Sequence, residues 1–194
     1  MFDFNSATAE SGSKYLEPGI HTVKVSEIKS GESSQKKTPY VEISIQDSTG
    51  ASCSQQYYLS TNAGPSGKSA WDINKNAILQ LVMAATGLDE VSAKGKMPQA
   101  KTPEELAAKL STIIVGKTIA IHLSGKWINP TDASKKPWIK AQFGNYKFAV
   151  PADRIGELKH DSSKHIKGTP APSAEELAND IPGLNGVAPV KADW

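Results

Sequence analysis

From Tyr40 to Gln46 the chain alternates without a fault. Val41, Ile43 and Ile45 fall on one side, and Tyr40, Glu42, Ser44 and Gln46 on the other. Period-two alternation marks a strand with one face buried and one in water. The turn-forming run Asp47-Ser48-Thr49-Gly50 follows, and Ala51 to Ser60 then returns as a second strand, so the pair reads as a hairpin. The pattern also occurs upstream, after the turn Glu17-Pro18-Gly19. From Ile20 to Ile28, His21, Val23 and Val25 share one face while Thr22, Lys24 and Ser26 share the other. Ser30 to Thr38 is polar and reads as a loop.

The period changes in the middle of the chain. Asn62 to Ser69 is a Gly/Ser/Pro loop, and Asp72 can cap a helix running to about Thr86. Ile73, Ala77, Leu81 and Ala84 recur at helical spacing, and Gly87 follows as a stop. Val91 to Lys101 reads as a loop. Thr102-Pro103-Glu104-Glu105 is a helix start with a Thr cap and Pro at the first position; that helix runs to about Leu110. Strands then resume. Gly116-Lys117 opens a fourth, with Ile119, Ile121 and Leu123 inward and Thr118, Ala120, His122 and Ser124 outward. Trp127 to Pro137 reads as a loop, and Trp138 to Val150 as a fifth strand bent at Gly144. A short helix is expected near Arg154 to Lys159. The order β-β-β-α-α-β-β predicts a mainly β fold with one or two helices. An OB-like five-stranded barrel has this order, and other small β-barrels can be drawn from it. The expected division is an N-terminal arm over 1–14, the barrel over 15–150, a basic connector over 151–168 and a disordered acidic tail over 169–194.

With 194 residues the chain can bury a real core. No run approaches the apolar length of a membrane span. Met1-Phe2-Asp3-Phe4-Asn5 lacks the basic-then-apolar order of a secretory signal. The single cysteine, Cys53, excludes an internal disulfide and a multi-cysteine zinc site, and fits a reducing cytoplasm. Four histidines, His21, His122, His160 and His165, are scattered without metalloprotease spacing. No metal, cofactor or catalytic residue is expected, and the chain is read as a non-enzyme. Gly64-Pro65-Ser66-Gly67-Lys68-Ser69 fails as a phosphate-binding P-loop, because only two residues separate its glycines where the motif requires four. The net charge of +2 is unevenly spread: 117–167 carries +6, 1–116 carries −1 and 168–194 carries −3. A basic segment followed by an acidic one points to a polyanion partner for the first and a protein partner for the second. Arg154 is the only arginine among 22 basic residues. Lysines act as point charges toward phosphates and read base edges poorly, so a nucleic-acid partner would be bound with little dependence on its sequence.

Four stretches carry a family likeness: Met1-Phe2-Asp3-Phe4-Asn5-Ser6-Ala7, then Leu16 to Glu27, then Tyr40 to Ile45, then Asn76 to Gly87. Together they resemble a family of small bacteriophage proteins from replication and recombination modules that are taken to bind single-stranded DNA. The resemblance implies an OB fold and a host-cytoplasmic setting. Asn179-Asp180-Ile181-Pro182-Gly183 is similar to the Asp-Asp-Ile-Pro-Phe tip by which bacterial single-stranded DNA-binding proteins recruit partners. It lacks one acid and the Phe, and eleven residues follow it, ending in Ala192-Asp193-Trp194. The resemblance thus implies replication or recombination proteins as tail partners, with Asp180, Ile181, Pro182, Asp193 and Trp194 as contacts.

Single-strand binding needs positive charge along a groove and flat rings for bases to stack on. Lys126-Trp127, Lys135-Lys136-Pro137-Trp138-Ile139-Lys140 and Tyr146-Lys147-Phe148 interleave the two. The candidates are therefore Trp138, Lys140, Trp127, Lys126, Lys135, Lys136 and Lys147. Tyr57 and Tyr58 face opposite ways in a strand; one belongs to the core, and Tyr58 is the candidate for stacking, as is the outward Tyr40. Phe143, Tyr146 and Phe148 are assigned to the core, Trp71 to a hydrophobic staple, His122 to the plain surface, and Cys53 to a small buried hydrophobe. The expected function is sequence-independent single-stranded DNA binding, with a homo-oligomer open through the aromatic arm. The alternative is a barrel-type protein-interaction module, phage structural or host-regulatory, without nucleic-acid function.

Overall fold

The computed structural model describes residues 14–64, 66–131, 137–144 and 147–171. Residues 1–13 of the arm, Lys135, Lys136, Tyr146 and the acidic tail from 172 on, with Asp180, Ile181, Pro182, Asp193 and Trp194, lie outside them. The fold is mainly β: a seven-stranded sheet with a few helices. Its strands are β1 (Gly19–Glu32), β2 (Pro39–Gln46), β3 (Ser52–Tyr58), β4 (Thr118–Ile128), β5 (Trp138–Phe143), β6 (Ala149–Pro151) and β7 (Ile166–Lys167). The main order is β3-β2-β1-β4-β5, with β6 and β7 also on β4. All pairings are antiparallel except that of β7.

The hairpin forms as the alternation predicts. Asp47 Oδ1 accepts the backbone N–H groups of Thr49 and Ala51 at 2.8 and 2.9 Å, and Gly50 supplies the left-handed backbone at φ 87°. β1 is longer than expected and runs to Glu32, into the start of the segment read as a loop. A bulge between Val25 and Glu27 explains how. The extra residue shifts the inward set from Val23 and Val25 to Ile28, so one strand keeps a buried face on both sides of the irregularity. The inward residues of β1, β2 and β4 form the core, with Val25, Ile43, Ile45, Ile119, Ile121 and Leu123 fully buried. Each such side chain contributes about 1.5–3 kcal/mol relative to exposure.

The helices cover this core. They are α1 (Ala70–Thr86), α2 (Glu90–Lys96), α3 (Pro103–Ile114) and the single turn α4 (Ser162–His165). α1 begins earlier than expected. Ser69 is its cap, and Asp72 is the third helical residue of a capping box. Ser69 Oγ accepts the Asp72 N–H at 3.1 Å, and Asp72 Oδ2 accepts the Ser69 N–H at 3.3 Å. Hydrogen bonds from Lys75, then Ser69, hold the Asp72 carboxyl down to about 2. Trp71 therefore sits within the first helical turn rather than before it; it is half-buried, and its N–H donates to Ser60 O at 3.0 Å. α3 starts at Thr102 as its sequence predicts and continues to Ile114. α2 occupies a segment read as a loop; Asp89 caps it and Glu90 pairs with Lys94. Its two lysines and its glycine hid a helix that buries only Ala93. No helix among the described residues is long and apolar enough to cross a membrane.

The expected fifth strand divides in two. β5 pairs with the far half of β4, and β6 pairs with the near half. Gly144 sits at the break and donates its N–H to His122 O at 3.1 Å. A Cβ there would lie 2.7 Å from Phe148 Cβ, so the bend needs glycine. After β6 a 3-10 turn (Ala152–Glu157) and α4 follow. β3 and β5 approach without a ladder among the described residues: Cys53 Sγ is 3.7 Å from Ala141 O, and Tyr57 packs edge-on to Phe143 at 6.3 Å.

Two outcomes are expected. Ser69→Ala should cost about 1 kcal/mol in urea-unfolding stability. Because the folded Asp72 carboxyl titrates below its unfolded value, its contribution is present above about pH 4 and is lost as pH falls toward 2. Asp72→Asn should remove that part of the acid sensitivity, read from unfolding midpoints between pH 5 and 2.

Candidate nucleic-acid interface

Register decides which candidate side chains share a surface. In the β4–β5 ladder Lys126 faces Lys140, Ile128 faces Trp138 and Ser124 faces Gln142. β7 joins the other edge of β4 and sets Lys167 beside Lys126. Lys167, Lys126 and Lys140 therefore form a row across three neighbouring strands, and all three are exposed. Like charges directly opposite each other in a sheet repel. Among the described residues none of the three joins a salt bridge, whereas Lys29, Lys75, Lys94, Lys109, Arg154 and Lys164 all do. Trp138 projects from the same face, one step along the ladder from Lys140, and is 47% exposed. The surface thus combines an open indole with positive charge that joins no salt bridge among the described residues.

Trp127 does not belong to this surface. It pairs with Ile139 in β4, which extends through Trp127 rather than ending before it, and adjacent strand residues point to opposite faces. It is half-buried, with its Cβ 3.6 Å from where a Cβ on Gly168 would lie. Tyr40 and Tyr58 form a separate cluster. They are register partners on β2 and β3, in edge contact with centroids 5.8 Å apart. Tyr40 faces Gly31 near the far end of β1, whereas the Lys126 end of β4 lies beyond Gly19 at the other end. Tyr57 is buried in the core at 4% exposure, and its hydroxyl has no hydrogen-bond partner. That leaves Tyr58 as the accessible member of the pair, with its hydroxyl donating to Gln56 Oε1 at 3.1 Å. Lys147 is exposed before β6 with a left-handed backbone at φ 42°, away from the row in register.

The reading of His122 as a plain surface residue is wrong. Its strand is buried on both faces, because the chain after β6 returns across the supposedly outward side; Ala120, His122 and Ser124 are 0, 6 and 8% exposed. His122 Nε2 lies 2.9 Å from His160 Nδ1, and the His165 ring stands edge-on to His122 at 4.4 Å. Burial, then the neighbouring His165 and His160 rings, push His122 down to about 4. The three histidines that look scattered in sequence are one cluster, whose potential ligand atoms all lie within 4.8 Å of one another.

Lys167 was the functional candidate that pattern reading passed over, along with His160 and His165. The signal is weak, since a two-residue parallel strand leaves no periodicity. No protein-family model matches the chain, and no curated protein matches it.

Cys53 is half-buried, and burial pushes its thiol up to about 11, with Lys140 acting weakly in the other direction. Thiolate is the reactive form. Alkylation of the native protein near pH 8 should therefore be much slower than in urea; equal rates would show that the thiol is not shielded.

Proposed function

We propose that this chain is a sequence-independent single-stranded DNA-binding protein of a phage replication or recombination system, built on an OB-like barrel. The observation that carries the proposal is the Lys167–Lys126–Lys140 row beside Trp138. Phosphates relieve the repulsion within the row, and a base stacks on the indole. Lysine point charges and stacking supply affinity without base-edge readout.

The fold supports this reading. A three-strand meander, a helical connection, β4 returning beside β1, and β5 approaching β3 match the OB order. OB folds bind oligonucleotides on the strand 2–3 face and on the loops joining strands 1–2 and 4–5. Tyr40 and Tyr58 lie on the first of these, and the lysine row with Trp138 flanks the last. The strand passes between them, with Trp138, Lys126, Lys140 and Lys167 as the principal contacts. Lys135 and Lys136 add charge from the connecting segment, and Lys147 adds it at the periphery. The acidic segment recruits replication or recombination proteins. Its start lies beside the row, where Ala171 N–H donates to Asn129 Oδ1 at 2.8 Å, so its acids compete with phosphate for the lysines.

Titration with oligo-dT at several salt concentrations, followed by tryptophan fluorescence, tests the proposal. Wild-type fluorescence should be quenched, and affinity should fall with salt. Trp138→Ala should lose most of the quench and about 1–3 kcal/mol of binding. Lys126→Ala and Lys140→Ala should each lower the salt slope by about 0.7, whereas Lys75→Ala, which removes a lysine paired with Asp72, should not. Absence of both quenching and a gel-mobility shift would refute the reading.

A further inference from the structure

We infer that His122, His160 and His165 form a binding site for one divalent first-row transition ion of the zinc class, and that loading it ties the chain after β6 to β4. The three imidazoles arrive from separate places: mid-β4, the segment before α4, and the last residue of α4. Their candidate ligand atoms lie within 4.8 Å of one another. Zinc–imidazole bonds of about 2.0–2.1 Å place tetrahedral nitrogens about 3.3 Å apart. The 2.9 Å separation of His122 Nε2 and His160 Nδ1 is already close to that spacing. Imidazole donors suit zinc, copper, nickel and cobalt rather than magnesium or calcium.

Packing alone accounts poorly for the cluster. Three neutral rings offer six nitrogens. Among the described residues one hydrogen bond joins His122 to His160, and another takes the Asp161 N–H onto His165 Nδ1 at 2.8 Å. The other three nitrogens have no hydrogen-bond partner among the described residues. A metal ion converts convergent lone pairs into bonds. His122 is the fixed ligand: its backbone N–H donates to Phe148 O at 2.6 Å and its backbone carbonyl accepts from the Gly144 N–H. His160 supplies the second donor through Nδ1. His165 is the adjustable third, since a half-turn of its ring about χ2 frees it from the Asp161 N–H. The Asp161 carboxylate is engaged by Ser163 and Lys164 and is not counted as a ligand.

The site's consequence lies two residues on. His165 is followed by Ile166 and Lys167, which pair with Gly125 and Lys126. A bound ion fastens this short parallel strand and so holds Lys167 in the lysine row. The inference does not depend on DNA binding, because its first readouts are metal affinity and stability.

The experiment uses untagged full-length protein stripped with chelator. Cobalt(II) titration should give visible absorption of tetrahedral intensity, saturating at one ion per chain. Zinc should raise the melting temperature, and EDTA should reverse the rise. His160→Ala and His165→Ala, both at half-exposed positions, should keep the wild-type circular dichroism and lose at least tenfold in cobalt affinity; His21→Ala should lose nothing. Zinc should also slow hydrogen exchange across 158–167. No cobalt spectrum and no thermal response in the wild type, or unchanged affinity in both variants, would overturn the site. Binding without slowed exchange would overturn the tie to β4.

Discussion

Backbone hydrogen bonding along Thr118–Ile128 holds four other strands. β1 and β7 share one edge of β4 in succession, and β5 and β6 share the other. From Ile119 to Gly125 the strand is buried on both faces. Ile119, Ile121 and Leu123 fill the core on one side, and Ala120, His122 and Ser124 lie under the returning chain on the other. The glycine at 144 sits at the break that lets β5 and β6 both pair with this strand. Its far end, past Gly19, is where β1 stops and β7 takes its place. That exchange of partners makes the lysine row, since β1 brings no lysine there.

Two kinds of unfavourable arrangement occur within one face of β4. At its far end three lysines stand side by side without acids to neutralise them among the described residues. In its middle three imidazoles crowd together with nitrogens left unpartnered. Like charges side by side repel, and converging imidazole lone pairs are suited to a shared cation. Each is relieved by a ligand of opposite character, an anion for the lysines and a cation for the imidazoles. The two sites share the segment from His160 to Lys167, so whatever orders that segment affects both.

Much of the fold was legible in the sequence because its signals are local. The hairpin followed from alternation around Asp47–Gly50, and α3 from its Thr-Pro-Glu-Glu start. α2 was missed because it buries a single alanine and so carries no apolar periodicity. The candidate site was legible only in part. Lys126, Lys140 and Trp138 share a face by parity alone, which counting along each strand could supply. Trp127 lies on the opposite face for a reason also visible in the sequence: its neighbour Lys126 must point the other way once the strand is known to continue. Lys167 could not be found, because a two-residue strand has no pattern.

The sequence by itself determined the β2–β3 hairpin, the existence of α1 and α3, and most of the residues that line the core. These choices depend on side-chain period, capping and turn chemistry within a few neighbouring positions. It also determined the charge asymmetry, and hence the class of partner sought. Tertiary structure alone decided that His122, His160 and His165 meet, that three lysines stand in register, and that the outward face of β4 is covered. Each of these depends on pairings across about forty residues, and contact at that range is set by how strands dock rather than by what any one segment prefers.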